Sequence, residues 1–348
     1  MTMRCLLARF TSGTSGTSAA ALALAAILGT GALALGTSAA WAQSAQGGAS
    51  STDKSVRLIV PFATGGGTDI LARILAPRLT ERLGQPVIVE NRAGAAGAIG
   101  ARHVAQAAPD GLTLMIGSIS EIGINPSLSP SLGYDVWRDF VALAPLASTP
   151  MILVAHPSVP ATTARELIAL ANAKSGQLNY GSAGTGSGAH MAAELFRYIT
   201  KINITHVPYK GTGAAVADLT GGQVQLVFST VPSVIGLVKG GRLKPVAVAT
   251  TQRISTLPDV PTFVEAGVPE YQMDYWYGLF APAATPRDVQ ARLQAGLRDV
   301  MRMPDTIASL DKAGLLPTSG TNEEFIAFVR KDMERWAAVV KAAGIKVE

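Results

Sequence analysis

At 348 residues, 48% of them apolar, the chain exceeds a typical single core and predicts two domains. Its 29 basic and 24 acidic residues leave an excess too small and too scattered for a nucleic-acid or membrane surface. The single cysteine, Cys5, excludes a disulfide framework or a thiolate-metal site.

Residues 1–42 read as a secretory signal. Arg4 and Arg9 form a short basic start, an uncharged stretch runs from Ala19 to Leu35, and Ala40-Trp41-Ala42 is the small-x-small pattern that signal peptidase accepts. A membrane anchor is the alternative. A lipoprotein fits less well, because Cys5 precedes the apolar stretch instead of ending it. With Gln43 as first mature residue, 27 basic residues remain against 24 acidic ones, a net charge of +3. No later stretch approaches the roughly 18 uncharged apolar residues of a spanning helix. The expectation is an exported, periplasmic protein with residues 43–53 as a flexible lead-in.

From there, β-rich runs alternate with helical patterns, which predicts α/β layers around mainly parallel sheets. Val56–Pro61 is a first strand. Leu71, Leu75, Leu79 and Leu83 then recur at four-residue spacing in a helix that Pro77 should kink and Gly84 should stop. Val87–Val89, a glycine-rich turn from Asn91 to Gly97, a helix over Ala98–Ala107 and a strand over Leu112–Gly117 follow. Strands are expected at Met151–Ala155, Leu178–Gly181, Val224–Phe228 and Leu243–Ala249. Helices are expected from Thr163 to Ala173, over 189–200 and from Asn322 to Ala343. The last buries a stripe of Phe325, Phe328, Val329, Met333, Trp336 and Val340.

Two stretches carry candidate chemistry. "VPFATGGGTDILARIL", residues 60–75, and "LNYGSAGTGSGAHMAAELF", residues 178–196, each run from a strand through glycines into a helix. A helix N-terminus presents unpaired N–H groups and a partial positive charge, and glycines let a ligand approach them. Both are candidate anion sites, placed in different domains. Helix capping by Thr68, Asp69 and Ser187 without a ligand is the alternative.

A nucleotide fits poorly. Gly65-Gly66-Gly67-Thr68-Asp69 lacks the lysine of a phosphate-binding loop. Gly184-Thr185-Gly186-Ser187-Gly188-Ala189 matches the dinucleotide pattern, but no acidic residue stands about 20 positions on, where Ile202-Asn203-Ile204-Thr205-His206 is found. Ser182 and Ser187 lie in no nucleophile elbow. His103, His156, His190 and His206 offer no zinc-ligand spacing, and no carboxylate pair suits acid–base work. No cofactor, no metal and no enzyme activity are expected.

Taken together, the markers resemble the Bordetella uptake gene (Bug) family, the substrate-binding proteins of tripartite tricarboxylate transporters. In order they are "VPFATGGGTD" (60–69), "VENRAGAAGAIGA" (89–101), "APDGLTLMIG" (108–117), "YDVWRDF" (134–140), "GSAGTGSGAH" (181–190), "VPYKGTGAAVADLTGGQVQLVF" (207–228), "LPDVPTFVEAG" (257–267) and "APAATP" (281–286). The resemblance implies an α/β, two-lobed periplasmic binding protein of the type II kind, with the ligand cleft between lobes. Residues 54–146 and 252–348 would form lobe one, and 147–251 lobe two.

It also implies a small-molecule carboxylate as ligand: a di- or tricarboxylate, an acidic amino acid or an aromatic acid. Partners would be membrane transporter subunits, with a monomeric receptor. The ligand would lie between the first loop (Phe62, Ala63, Thr64, Gly66, Gly67, Thr68, Asp69) and the second (Ser182, Thr185, Gly186, Ser187, His190). Tyr209, Phe228 and Ser229 complete the expected set. Relatives often carry Asp where this chain has Ser229. On electrostatic grounds Ser187 to His190 is the expected main anchor, Ser182 and Thr185 add hydroxyl donors, and Asp69 sets selectivity. Presentation of ligand to a membrane sensor, or an exported hydrolase, are the alternatives.

Overall fold

The computed structural model describes residues 54–129 and 131–345; the expected signal segment, residues 1–42, lies outside them. Strand β1 (Val56–Val60), buried except at Arg57, pairs in parallel with β2 (Val87–Asn91) and β3 (Thr113–Ser118). Helix α1 (Gly67–Leu83) joins β1 to β2, and its four-residue repeat of Leu71, Leu75 and Leu79 is buried together with Ala72 and Ala76. Pro77 lies inside α1, which runs on across it from Gly67 to Leu83. Proline removes a single backbone donor there, while burial of Leu75, Ala76 and Leu79 on both sides holds the turns. Gly84 closes it in the left-handed conformation, its N–H on the Thr80 carbonyl at 3.0 Å.

The sheet is mixed, not mainly parallel. β3 pairs antiparallel with β9 (Asp274–Pro282), which in turn pairs antiparallel with the 16-residue strand β4 (Phe140–Ala155). The β9 ladder ends at Pro150↔Asp274. From Met151 onward β4 is flanked instead by β7 (Leu226–Thr230) and β8 (Lys244–Val248), both antiparallel. β7 continues through β5 (Asn179–Ser182) to β6 (Thr205–Pro208) in parallel, and the short β10 (Leu316–Pro317) adds to the first part of β4. Two parallel half-sheets thus meet through antiparallel strands, and β4 belongs to both. Met151–Ala155 is the strand expected there, but Pro145 and Pro150 hide its earlier part in the sequence, since proline argues against a central strand; the ladder shifts register beside Pro145.

The other helices are α2 (Ala98–Ala105), α3 (Asn125–Leu128), α4 (Val136–Asp139), α5 (Ala164–Ala173), α6 (Gly188–Thr200), α7 (Thr212–Thr220), α8 (Val231–Lys239), α9 (Arg287–Arg302), α10 (Pro304–Ala313) and α11 (Asn322–Ala343). Phe196, Phe228, Phe263 and Tyr271 pack with ring centroids 4.4–6.2 Å apart at the centre of the second half-sheet. On α11, Phe325, Val329, Trp336 and Val340 are buried as the stripe predicts. Phe328 is an exception, 49% exposed and edge-on to Trp276. The buried place goes to Asp332, whose carboxylate accepts the Trp276 indole N–H at 2.8 Å. Among the described residues no helix is long and apolar enough to cross a membrane, and no cluster of His, Cys, Asp and Glu could hold a metal.

Candidate ligand-binding site

Four helices begin at one place. Gly66 caps α1, Ser187 caps α6, Thr230 caps α8 and Thr212 opens α7, and all four residues line a single cavity of about 20 Å³. Each follows directly on a strand: α1 on β1, α6 on β5, α7 on β6 and α8 on β7. A helix N-terminus carries about half a positive charge and N–H groups that have no partner within their own helix. Phe62, Met151 and Ala183 supply apolar wall, and no Lys, Arg, Asp or Glu lines the space. The cavity therefore carries a positive potential made of dipoles alone, in a volume with room for about one water molecule.

Hydroxyl groups complete the lining. Ser120 lies in a π-helical segment, Ile119–Ile124, that directly follows β3; Tyr275 and Tyr277 come from β9. The Gly188 N–H, in the first turn of α6, donates to Ser120 Oγ at 2.9 Å. Ser120 Oγ meets Tyr275 Oη at 2.7 Å, Tyr275 Oη meets Ser118 Oγ at 3.0 Å, and Ser118 Oγ meets the Glu121 carboxyl at 2.8 Å. Glu121 is fully buried. Burial pushes its carboxyl up to about 8, against hydrogen bonds from Ser118 that favour the charged form. At neutral pH this side chain is protonated and puts no negative charge beside the cavity. Burial likewise raises the Tyr275 and Tyr277 hydroxyls, which stay neutral donors.

Of the residues singled out in the sequence, Phe62, Gly66, Gly67, Thr68 and Ser187 line the cavity. Ala63 and Thr64 do not: they lie against the opposite loop, Ala63 N–H donating to the Lys210 carbonyl at 3.4 Å and the Thr64 carbonyl packed on Gly213. Asp69 is 3% exposed and turned away. Its carboxylate accepts the Arg73 guanidinium at 3.0 Å, the Asn91 amide at 2.9 Å and the Gly65 N–H at 3.0 Å. Burial pushes the Asp69 carboxyl up, but these bonds outweigh it and hold it below the usual range.

In the second loop, Ser187 caps α6, accepting the His190 N–H at 3.2 Å. Ser182 and His190 sit behind the loop. Ser182 Oγ pairs with His206 Nε2 at 2.6 Å and accepts the Gly184 N–H, while His190 Nδ1 accepts the Gly186 N–H at 3.2 Å. The two imidazoles stack at 4.2 Å between centroids. Burial lowers both, His206 to about 4, so they are neutral and Nδ1 of His190 is free to accept. Thr185 faces a separate surface pocket beside Ala96 and Arg102. Tyr209 donates to Asp218 at 2.7 Å, Phe228 is in the aromatic core, and Ser229 is buried with its hydroxyl on the Thr230 carbonyl. The cavity takes Thr230, one residue on from Ser229.

The tripartite tricarboxylate transporter receptor family model matches residues 71–345. The chain belongs to that family. It is 35% identical to BugT of Bordetella pertussis over 85% of this chain and 91% of that protein. A Rhodopseudomonas palustris protein solved with adipate is 35% identical, with a TM-score of 0.81 over 84% of this chain and 98% of the other. Another from that organism, solved with malate, is 34% identical, with a TM-score of 0.79 over 82% and 99%. The fold is that of periplasmic binding proteins of the Bug type, which are receptors and not enzymes.

Sequence reading missed Ser120, Met151, Thr212, Thr230, Tyr275 and Tyr277, and did not single out Ala183 or Ala189. One signal was present for the tyrosines. In Tyr275-Trp276-Tyr277 a strand puts the first and third side chains on one face and the second on the other. Both tyrosines reach the cavity, while Trp276 turns to Asp332.

Proposed function

We propose that this receptor captures a small organic carboxylate in the periplasm and delivers it to the membrane subunits of a tripartite transporter. The convergence of four helix N-termini on a cavity without a single charged side chain carries the reading. Such a site favours an anion, holds it by hydrogen bonds instead of an ion pair, and lets it go without breaking one. The adipate and malate carried by the two R. palustris structures support a short dicarboxylate. Four half-charges amount to roughly +2, the counterpart of a dianion.

Capture requires movement, because about 20 Å³ is too small for any dicarboxylate. The proposed lobes are residues 54–146 with 252–348, and 147–251. Between them, β4 changes partners at Pro150 and Met151, and Met151 also bonds the returning chain at Ala249 and Met273. Hinge rotation there opens the cleft.

Calorimetric titration with adipate and malate, with mass spectrometry of ligand retained through purification, tests the reading. Binding of one of them at micromolar affinity is expected, together with a smaller radius of gyration in the bound state. A folded protein that binds neither and retains no carboxylate overturns it. Cell fractionation with N-terminal sequencing tests export, with Gln43 as the expected first residue.

A further inference from the structure

Two tyrosines on the same face of β9 enter the cavity in different states. Tyr275 Oη has Ser118 at 3.0 Å and Ser120 at 2.7 Å. Tyr277, 1% exposed, has only Thr230 Oγ1 beside its hydroxyl, and the two do not meet in hydrogen-bonding geometry. A buried hydroxyl without a partner costs about 1–3 kcal/mol, so its position calls for an explanation. Phenylalanine would fill the same space without that cost.

Its surroundings indicate what it is aimed at. The Tyr277 hydroxyl and Thr230 Oγ1 both press on the Cα of Gly67, the first residue of α1: a Cβ built there would collide with Tyr277 Oη and stand 2.6 Å from Thr230 Oγ1. Thr230 is itself the N-cap of α8 and has Ser233 Oγ at 3.1 Å. The donor thus sits where α1 and α8 begin, whereas the Ser120–Gly188 contact at α6 belongs to a satisfied network.

We infer that Tyr277 is a specificity-determining residue whose hydroxyl donates to a second carboxylate of the ligand at the α1/α8 end, while the first carboxylate sits at α6. Resting on the carboxylate reading above, this assigns the two ends of the site separate tasks. The α6 end recognises any carboxylate; Tyr277 with Thr230 distinguishes a diacid from a monoacid of the same chain. A neutral phenol suits the task, because it donates one bond to the anion and cannot repel it by ionising.

The test compares Tyr277→Phe with the parent protein against two matched pairs of probes: adipate with hexanoate, and malate with 2-hydroxybutyrate. In each pair a methyl group replaces one carboxylate. A hydrogen bond to a charged group predicts a loss on the order of 10- to 100-fold for the diacid that the parent binds. The matched monoacid should change by less than about twofold, so the ratio between them collapses. The melting temperature of the ligand-free variant should stay level or rise, because an unpaired hydroxyl has been removed.

Equal loss for both members of a pair, or no loss for either, overturns the role of Tyr277 and leaves the carboxylate reading standing. A fall in melting temperature without ligand overturns it too, since the hydroxyl would then have had a partner in the free protein. If the folded parent binds none of the four probes, the carboxylate reading fails and this assignment with it.

Discussion

The glycine-rich entrances of α1 and α6 look alike in sequence and differ in how their backbone donors are used. At α1 no side chain caps the helix: Gly66 holds the N-cap position, and Asp69 reaches back to the Gly65 N–H while held by Arg73 and Asn91. At α6 the donors are already shared out. His190 N–H goes to Ser187, Gly188 N–H to Ser120, and Gly186 N–H to the His190 ring. One entrance is kept open by side chains that face away from it. The other is a finished network that a ligand must join by displacement. Dipoles of the same sign therefore serve different purposes, and the open one has the larger unspent capacity for an anion.

The largest expected effect breaks the open entrance. Gly67→Ala puts a methyl group against Tyr277 Oη and Thr230 Oγ1. Overpacking of this kind costs about 1–3 kcal/mol of stability. Displacing Tyr277 and the α1 N–H groups together should lower diacid affinity by on the order of 100-fold. Calorimetry on the folded variant decides; affinity within threefold of the parent would place the anion away from α1.

The next effect probes the finished network. The folded-state value of Glu121 lies near 8 against an ordinary 4.5, so between those limits the folded protein keeps a proton that the unfolded chain has lost. Stability from this group is full below pH 4.5 and falls as pH rises towards 8, by ~1 kcal/mol per pH unit. His206, lowered to about 4, acts with the opposite sign below pH 6.5, so the clean window is pH 6.5–8. Glu121→Gln should flatten the decline there and leave the variant more stable than the parent at pH 8. Parallel denaturation midpoints across that window would mean that Glu121 titrates normally.

Asp69→Asn comes third. It leaves the Arg73 guanidinium without its carboxylate and should cost about 1–3 kcal/mol of stability. Because the Asp69 oxygens face Arg73, Asn91 and Gly65, malate and adipate should weaken by one common factor. Asp69 is held below its ordinary 3.8, so the parent's advantage is full above that pH and fades as pH falls below it. A change in preference between the two acids would instead put Asp69 on the ligand.

These contrasts mark what a sequence reader can see. The Leu71–Leu75–Leu79 repeat, the glycine-rich entrances and the Trp336 stripe are local patterns, and each matches a local structure. Of β4 only Met151–Ala155 was legible; the part from Phe140 to Pro150 escaped because prolines interrupt it and its pairing changes partway along, and without that part the sheet reads as parallel. Ser120, Thr230, Tyr275 and Tyr277 escaped for another reason. They approach the lining residues of the glycine loops across separations such as 43 positions (Ser187 to Thr230) and 210 positions (Gly67 to Tyr277) in the chain, and only the strand order brings them there.

The smallest effect separates residues that the sequence grouped together. Thr185 and Ser187 are two positions apart in one loop, and both carry hydroxyls suited to an anion. In the structure Ser187 lines the cavity and caps α6, while Thr185 faces the pocket beside Ala96 and Arg102. The turn between them explains the divergence: Gly186 has a φ of +87°, which reverses the chain so that neighbours on either side look in different directions. Ser187→Ala should cost about 1 kcal/mol through the lost cap and weaken binding by a few-fold, because the first turn of α6 frays where the carboxylate is held. Thr185→Ala should change affinity by less than about twofold and melting temperature hardly at all, as for a surface hydroxyl. If Thr185→Ala instead weakens binding tenfold while Ser187→Ala does not, the ligand reaches past the loop into the outer pocket, and the closed cavity is only one end of a longer site.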